Sequence, residues 1–455
     1  MPVSEGSPVT REQVRRAAQT VLDHPGADEV EVVVAASSTG VTRYAGSHII
    51  QNISRNEVRA FVRVAHGNRV ATTTTNQLDR PHMIAAAASA LEAAKASPED
   101  PDFPGFARPR EVGTPAAAGR WDERTASASP RQRAEAVNLI LRASGGASSA
   151  GIYETGSHSF GVVSSQGVDC WDAYTRCVTT CLLDNGEATG WGDDSSHAAG
   201  EVDVEAVARR AARKADAGRN ADDAQPGTYE VVLEPSAVAT MIEHLSYSGF
   251  GAKQMIEKES FLAARAGESV GAPSVTVTDD VWHPKSVGIG FDFEGAPRRR
   301  VPVIDSGTAT GPVTDLRTAR LLDSESTGHS SGSAEYGPYA ANVVLEAGGD
   351  SPEDLIGGVD DGLLVTRFHY VNILDRTQTL LTGMTRDGLF RIRHGEIGGA
   401  VRNFRFAQSV LEALADVTGV GSDVGSFAPE YGSFGSTVAP TLRVGAFRFV
   451  SATSH

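Results

Sequence analysis

The stretch Gly227–Leu245, GTYEVVLEPSAVATMIEHL, separates two kinds of sequence in this chain. The Pro226-Gly227 step closes a polar, charged region, and Tyr229–Leu233 reads as a short apolar strand. Glu234-Pro235-Ser236 then turns into a helix, because proline is tolerated in a first turn. Val238, Met241, Ile242 and Leu245 fall on one face of that helix. Before this stretch the pattern predicts an N-terminal α/β domain, residues 1–225. After it the pattern predicts a C-terminal domain, residues 226–455, predominantly antiparallel β with a few helices. The whole is an α+β fold. A strand-turn-helix at such a boundary is a natural seat for a catalytic motif.

Moving outward toward the N-terminus, Arg11–Leu22 predicts an amphipathic helix with Thr10 as cap and Gln13 closing a capping box. Glu29–Ala36, His48–Ile53 and Glu57–Val64 read as strands, with turns at Thr42–Gly46 and Gly67-Asn68. Leu78–Ala96 is an Ala-rich helix beginning near Asp79, and Ser129-Pro130 opens another through Ala143. Hairpins follow from Gly151, including a strand over Cys170–Leu183, and Val202–Ala217 is helical. Moving toward the C-terminus, strands are expected at Val275–Thr278, Gly288–Phe293, Val301–Ile304 and Ala340–Leu345. Further strands follow at Leu363–Leu374, Leu389–Arg393, Val401–Arg405 and Leu442–Val450. Helices are expected at Ser351–Val359 and Phe406–Val417, and no fixed-period repeat appears.

The 455 residues are 40% hydrophobic, enough for two full cores. A formal net charge of −16, with Arg298-Arg299-Arg300 the one basic triplet, argues against a nucleic-acid partner. The N-terminus, MPVSEGSPVTREQ, lacks a basic segment followed by an apolar core, which predicts no signal peptide. No apolar run is long enough to span a bilayer, so no membrane association is expected. Cys170, Cys177 and Cys181 are odd in number and bunched, which suits reduced thiols in a cytoplasmic protein.

Twelve histidines are scattered, with no two spaced three to five residues apart, so no helix turn offers a paired imidazole site. Gly328-His329-Ser330-Ser331-Gly332 matches a nucleophile elbow by letter. Such an elbow needs a strand before it and a helix after it, and both flanks here read as loop. Gly249-Phe250-Gly251 and Gly419-Val420-Gly421 likewise lack the strand-to-helix setting of a dinucleotide site. Glu243 with His244 is the most interesting polar pair, and a solvated helix end is its plainer account. The loop Ser326–Ser333, with His329, and an expected turn at Thr382–Gly388 are polar, Gly-containing and flanked by strands. Thr382, Thr385, Arg386 and Asp387 on that turn join His244, Glu243 and His329 as candidate residues lining a substrate or partner site.

Many blocks, in order, resemble the TldD/PmbA (TldD/TldE) family across nearly the whole chain. In the first half they are Thr42–Val64, Gly67–Val70 and Leu91–Ala107. In the second they are Gly227–Leu245, Pro273–Asp280, Phe291–Gly307, Ser326–His329, Thr382–Phe406 and Ala439–Val444. The resemblance implies two-domain subunits that pair, TldD-type with TldE-type, around a chamber. It implies a zinc metallopeptidase that cleaves unfolded peptides and trims leader peptides. In TldD-type subunits H-E-x-x-x-H on the strand-turn-helix and a C-terminal cysteine hold the metal.

This chain departs from that pattern. Ser236–Met241 occupies the helix start without His or Glu, and Ser426–Tyr431 contains no cysteine. The likeness therefore points to the TldE/PmbA branch. It implies no catalytic residue and no metal on this chain, zinc on a TldD-type partner, and a peptide substrate held between them. Two alternatives remain at the level of sequence. One is a subunit of a diverged hydrolase acting on a small amide or peptide-like intermediate in natural-product biosynthesis. The other is a non-enzymatic homodimeric binding protein.

Overall fold

A computed structural model describes residues 9–113, 116–430 and 434–453. Residues 1–8 of the N-terminal stretch, Tyr431 and His455 lie outside the described residues. The first half is one six-stranded antiparallel sheet, ordered β3-β2-β1-β4-β5-β6. Its strands are β1 Glu29–Ala45, β2 His48–His66, β3 Arg69–Thr75, β4 Ser148–Ser164, β5 Asp169–Asp184 and β6 Thr189–Ser196. Alternation along the strands gives each face its own partner. Val32, Val34 and Val62 meet the helices Arg11–Gln19 and Arg80–Ala96 through Val14, Met83 and Ala87. On the same face, Tyr44, Cys177 and Cys181 meet the helices Pro130–Ala143 and Val204–Ala217. The opposite face carries Val33, Phe160, Val162, Cys170 and Tyr174, which pack against Val287, Ile289 and Phe291 of the second half. All three cysteines are buried and unpaired.

The helix starts fall where capping chemistry puts them. Thr10 and Gln13 form the capping box, Asp79 caps Arg80–Ala96, and Ser129 caps Pro130–Ala143. The strands depart further from expectation. β1 continues through the expected turn at Thr42–Gly46, and the chain reverses instead at Gly46 and Ser47, both at positive φ. The two strands expected over 48–53 and 57–64 are one, β2, whose polar centre lies at a solvent edge and so shows no apolar alternation. β6, TGWGDDSS, has almost no strand-forming composition. Its glycines admit the neighbouring helix: a Cβ at Gly190 would lie 2.0 Å from the Ala211 carbonyl oxygen.

The second half is an eleven-stranded sheet. Its strands are β7 Thr228–Leu233, β8 Val277–Asp279, β9 Val301–Asp305, β10 Thr308–Ala309, β11 Asn342–Leu345 and β12 Asp361–Asp375. They continue with β13 Leu380–Arg393, β14 Glu396–Ala400, β15 Phe404–Ser409, β16 Val417–Phe427 and β17 Ser436–Ala452. β17-β15-β13-β12-β7 closes on itself through a β7–β17 ladder, so these five strands form a ring. Most ladders are antiparallel; β12–β7 and β11–β17 are parallel. The helix Pro235–Gly249 leaves β7 and packs on β12 and β17. Its stripe of Val238, Met241, Ile242 and Leu245 joins the core that holds Phe368, Phe406 and Phe447.

Three expectations fail here, and one strand arises where none is predicted. Gly288–Phe293 is irregular chain, making only an isolated bridge from Phe291 to Pro297. The helix expected at Phe406–Val417 shrinks to Val410–Ala415, because β15 runs on to Ser409. β16, rich in glycine, was not expected as a strand. The turn expected at Thr382–Gly388 lies inside β13. What looked like turn chemistry is a bulge: Asp387 and Gly388 take φ of 57° and 135° where the β12–β13 register shifts at Val365/Arg367.

Candidate functional site

The first turns of the helix Pro235–Gly249 lie where the two halves meet. Glu234 precedes the helix, and its side chain makes no cap; it takes an ion pair from Lys214 of the first half. Ser236 donates to Asp193 Oδ2 at 3.2 Å, and the Thr240 hydroxyl donates back to the Ser236 carbonyl at 3.1 Å. The spacing Ser236, Thr240, Glu243 sets three polar side chains on one helix face, opposite the apolar stripe. That face borders a cleft of about 240 Å³. Trp191 and Asp193 of β6 form one wall, Arg367–Val371 of β12 another, and Phe427, Ala428 and Glu430 close a third side.

The cleft is polar and braced from behind. The Arg367 guanidinium lies 3.8 Å from the centre of the Trp191 ring, a cation–π contact. Asp387, 1% exposed, accepts from Arg367 Nε at 2.7 Å and from the Thr189 hydroxyl at 2.6 Å. This buried pair fixes the arginine against the indole. Burial pushes His369 below its ordinary pKa, and the charges of Arg367 and Arg386 add to the shift, so it stands neutral at pH 7. Its ring lies 4.4 Å from that of Tyr370, which is 71% exposed and held at φ 50°. A tyrosine in the left-handed region is strained, and such strain clusters at ligand-handling sites.

The candidate residues named from sequence separate into three groups. Glu243 lines the cleft and accepts from the Glu430 amide at 2.7 Å. Asp387 sits behind it, acting through Arg367, and Arg386 lies on the exposed side with Nε 3.9 Å from Asp387. The others do not reach the cleft. His244 is fully buried, and its Nδ1 donates to the Thr240 carbonyl at 2.8 Å. The Thr382 hydroxyl donates to the Phe406 carbonyl, and buried Thr385 bonds Asn403. His329 is a core residue: its Nε2 lies 2.9 Å from Asp279 and its Nδ1 2.9 Å from the Thr327 hydroxyl. Burial would raise the pKa of Asp279, but His329 and Arg298 together hold it below its ordinary value. The loop around His329 is thus tied down by a buried polar network.

Trp191, Asp193, Arg367, His369 and Tyr370 were not singled out by sequence. Arg367 and His369 interrupt an otherwise apolar stretch, LLVTRFHYV, and that interruption was the available signal.

The cleft does not suit a zinc ion. Among the described residues no group of three or more His, Cys, Asp or Glu could hold a metal ion. The helix offers it the hydroxyls of Ser236 and Thr240, poor zinc ligands beside imidazole and thiolate, and one carboxylate, Glu243, which already accepts from the Glu430 amide. His244 is turned onto the helix backbone, and the three cysteines are buried in β5.

Family models match both halves. The PmbA/TldA metallopeptidase C-terminal domain matches residues 226–451, and the central domain of the same family matches residues 123–219. The chain belongs to the TldD/PmbA family of metallopeptidase-like proteins. A "Metalloprotease" of Methanothermobacter thermautotrophicus is 26% identical over 226 residues, 49% of each chain. A "Metalloprotease TldD homolog" of Buchnera aphidicola is 25% identical over 236 residues, 51% of this chain and 48% of that one. The chain spans about half the length of the curated relatives it matches. The crystal structure of TldE from Thermococcus kodakarensis superposes with a TM-score of 0.84 at 20% identity. It covers 96% of this chain and 99% of that one, a likeness of fold. Among the described residues no helix is long and apolar enough to cross a membrane.

Proposed function

We propose that this chain is a metal-free, TldE-like subunit of a heterodimeric zinc metallopeptidase that cleaves unfolded or modified peptides. One observation carries the reading: the helix Pro235–Gly249 presents Ser236, Thr240 and Glu243 to the cleft, with no imidazole or thiolate among them. Zinc then belongs to a TldD-type partner, where it would polarise the peptide carbonyl and activate water. The part of this chain is to shape the chamber and hold the substrate. Asp193 and Glu243 are acceptors for peptide amides or an amine. Arg367 is held over Trp191 by Asp387, so it stiffens the wall without spending its charge on the ligand. The compartment is the cytoplasm.

The test is co-expression with a TldD-type homologue that carries H-E-x-x-x-H, followed by size exclusion, metal analysis and peptide hydrolysis. The expected result is a mixed complex with one zinc per pair, cleaving peptide only when both chains are present. Stoichiometric zinc in this chain alone, or peptide hydrolysis by it alone, would overturn the proposal. A stable homodimer that ignores the zinc-bearing homologue would favour a binding protein.

A further inference from the structure

Strand β2 is paired along its full length on one side only. Residues 29–45 of β1 face it from end to end, whereas β3 covers only Ala60–His66. Among the described residues no backbone hydrogen bond reaches the far edge of residues 48–59. A bare edge of twelve residues, about 40 Å at the usual rise per residue, is an aggregation hazard unless something blunts it. This one has no proline and no lysine, carries charge only at its Arg55–Arg59 end, and exposes Ile50 and Ile53 at 57% and 46%. Folded proteins keep such an edge where another chain completes it.

The edge opens onto a groove. Residues Arg55–Arg59 line a cavity of about 1420 Å³, together with residues 76–80, where the chain leaves the sheet at the end of β3. The charge of that cavity runs against that of the protein. Its lining includes Arg16, Arg55, Arg59, Arg80 and Arg176 and only three carboxylates, in a chain of net charge −16. One of those carboxylates, Glu57, is already paired with Arg55, and Asp79 is engaged as a helix cap, accepting from the His82 amide. Among the described residues, Arg16, Arg59 and Arg80 have no ion-pair partner. Three unmatched guanidinium groups beside an unpaired strand select for an occupant that is both extended and acidic. A second copy of this acidic chain would bring mostly like charge to the rest of the contact.

We infer that the groove along the bare edge of β2 binds an extended acidic peptide, which adds to the first sheet as a further strand. Main-chain hydrogen bonds from the residue 48–59 edge supply the affinity. Arg16, Arg59 and Arg80 supply the preference for Asp and Glu side chains. This assignment rests on the reading of the chain as a peptide-handling subunit and names the class of peptide it prefers. The site lies mainly on the first sheet; its cavity also reaches Phe293, Pro429 and Phe434 of the second half and adjoins the cleft at Glu243, with Ala428 lining both.

The test is fluorescence anisotropy with the full chain and four labelled ten-residue probes. One alternates Glu with Val or Thr, one replaces Glu by Lys, and two are the acidic probe N-methylated at alternate residues, one in each register. The acidic probe is expected to bind, and the lysine probe to bind at least about tenfold more weakly. One of the two N-methylated registers is expected to lose about tenfold or more, because strand addition needs its amide hydrogens. R59E and R80E, changes at exposed side chains, should each weaken the acidic probe by about tenfold at low salt, with the loss shrinking as salt rises. Equal binding of acidic and lysine probes, or full binding by both N-methylated registers, would overturn the inference. So would concentration-dependent dimerisation that the acidic probe leaves unchanged. Binding is read on this chain alone, so failure here leaves the copurification test of a zinc-bearing partner untouched.

Discussion

Phe160 meets Phe291, Phe293 and Phe434 with ring centres 4.6 to 5.8 Å apart, and there the contact between the two halves is aromatic. Around Trp191, Asp193, Arg367 and Glu243 the same two halves face each other across an open polar cleft. The difference separates two jobs. Apolar burial is strong and non-directional, so the aromatic contact fixes how the halves sit. Single hydrogen bonds are worth about 1 kcal/mol each and depend on geometry, so the cleft can rearrange around a ligand at small cost. Phe160→Ala should therefore be the most damaging single change, lowering stability by about 3 to 5 kcal/mol in urea unfolding. A loss below about 1 kcal/mol would show that the aromatic contact is not what holds the halves together.

The aromatic contact also carries buried charge, and that makes it pH-sensitive. Asp292 accepts from the amides of Ser330, Glu294 and Ala296, and Leu316 N donates to Glu294. Burial lifts Asp292 to about 6, opposed by those amides and Arg298. Burial lifts Glu294 well above the ordinary carboxylate value, Asp292 and Asp315 add to the rise, and Arg63 opposes it. Arg63, from the first half, is itself paired with Glu31. A raised pKa means that the folded chain holds protons that the unfolded chain releases. The stability from protonated Asp292 and Glu294 is thus full below about pH 4 and drains away as pH rises through the folded values. Tm should fall between pH 5 and pH 8, and Glu294→Gln, which is neutral throughout, should flatten that slope. A slope unchanged by Glu294→Gln would remove these carboxylates from the account.

Much of this was legible in the chain, in places where chemistry is local. The caps at Thr10, Asp79 and Ser129 each need only residues within one turn, and the helices begin where they predict. The strand-turn-helix at Gly227–Leu245 was legible for the same reason. The rest of the site depends on distant pairs. Arg367 faces Trp191, 176 positions earlier, and is fixed by Asp387 across a bulge whose positive φ values resemble a turn. β6 was illegible because its glycines answer to a helix packed behind it, not to strand propensity. His244 and His329 looked chemical because histidine is rare and polar, yet each has its hydrogen-bonding capacity turned inward.

The smallest effect should come from Ser236→Ala, and it is the change that best sharpens the contrast between the two contacts. The variant removes one hydroxyl that bonds Asp193 across the cleft at 3.2 Å and leaves the helix backbone intact. Asp193 stays partly exposed, so water can replace the lost donor, and the expected cost is about 1 kcal/mol or less. If the aromatic contact and the cleft are separate devices, Phe160→Ala and Ser236→Ala should add within about 0.5 kcal/mol in the double variant. A coupling of about 1 kcal/mol or more in that cycle would mean that the cleft bond forms only when the aromatic contact is intact. Cleft and aromatic contact would then be one interface, and a ligand in the cleft would act on how the two halves sit.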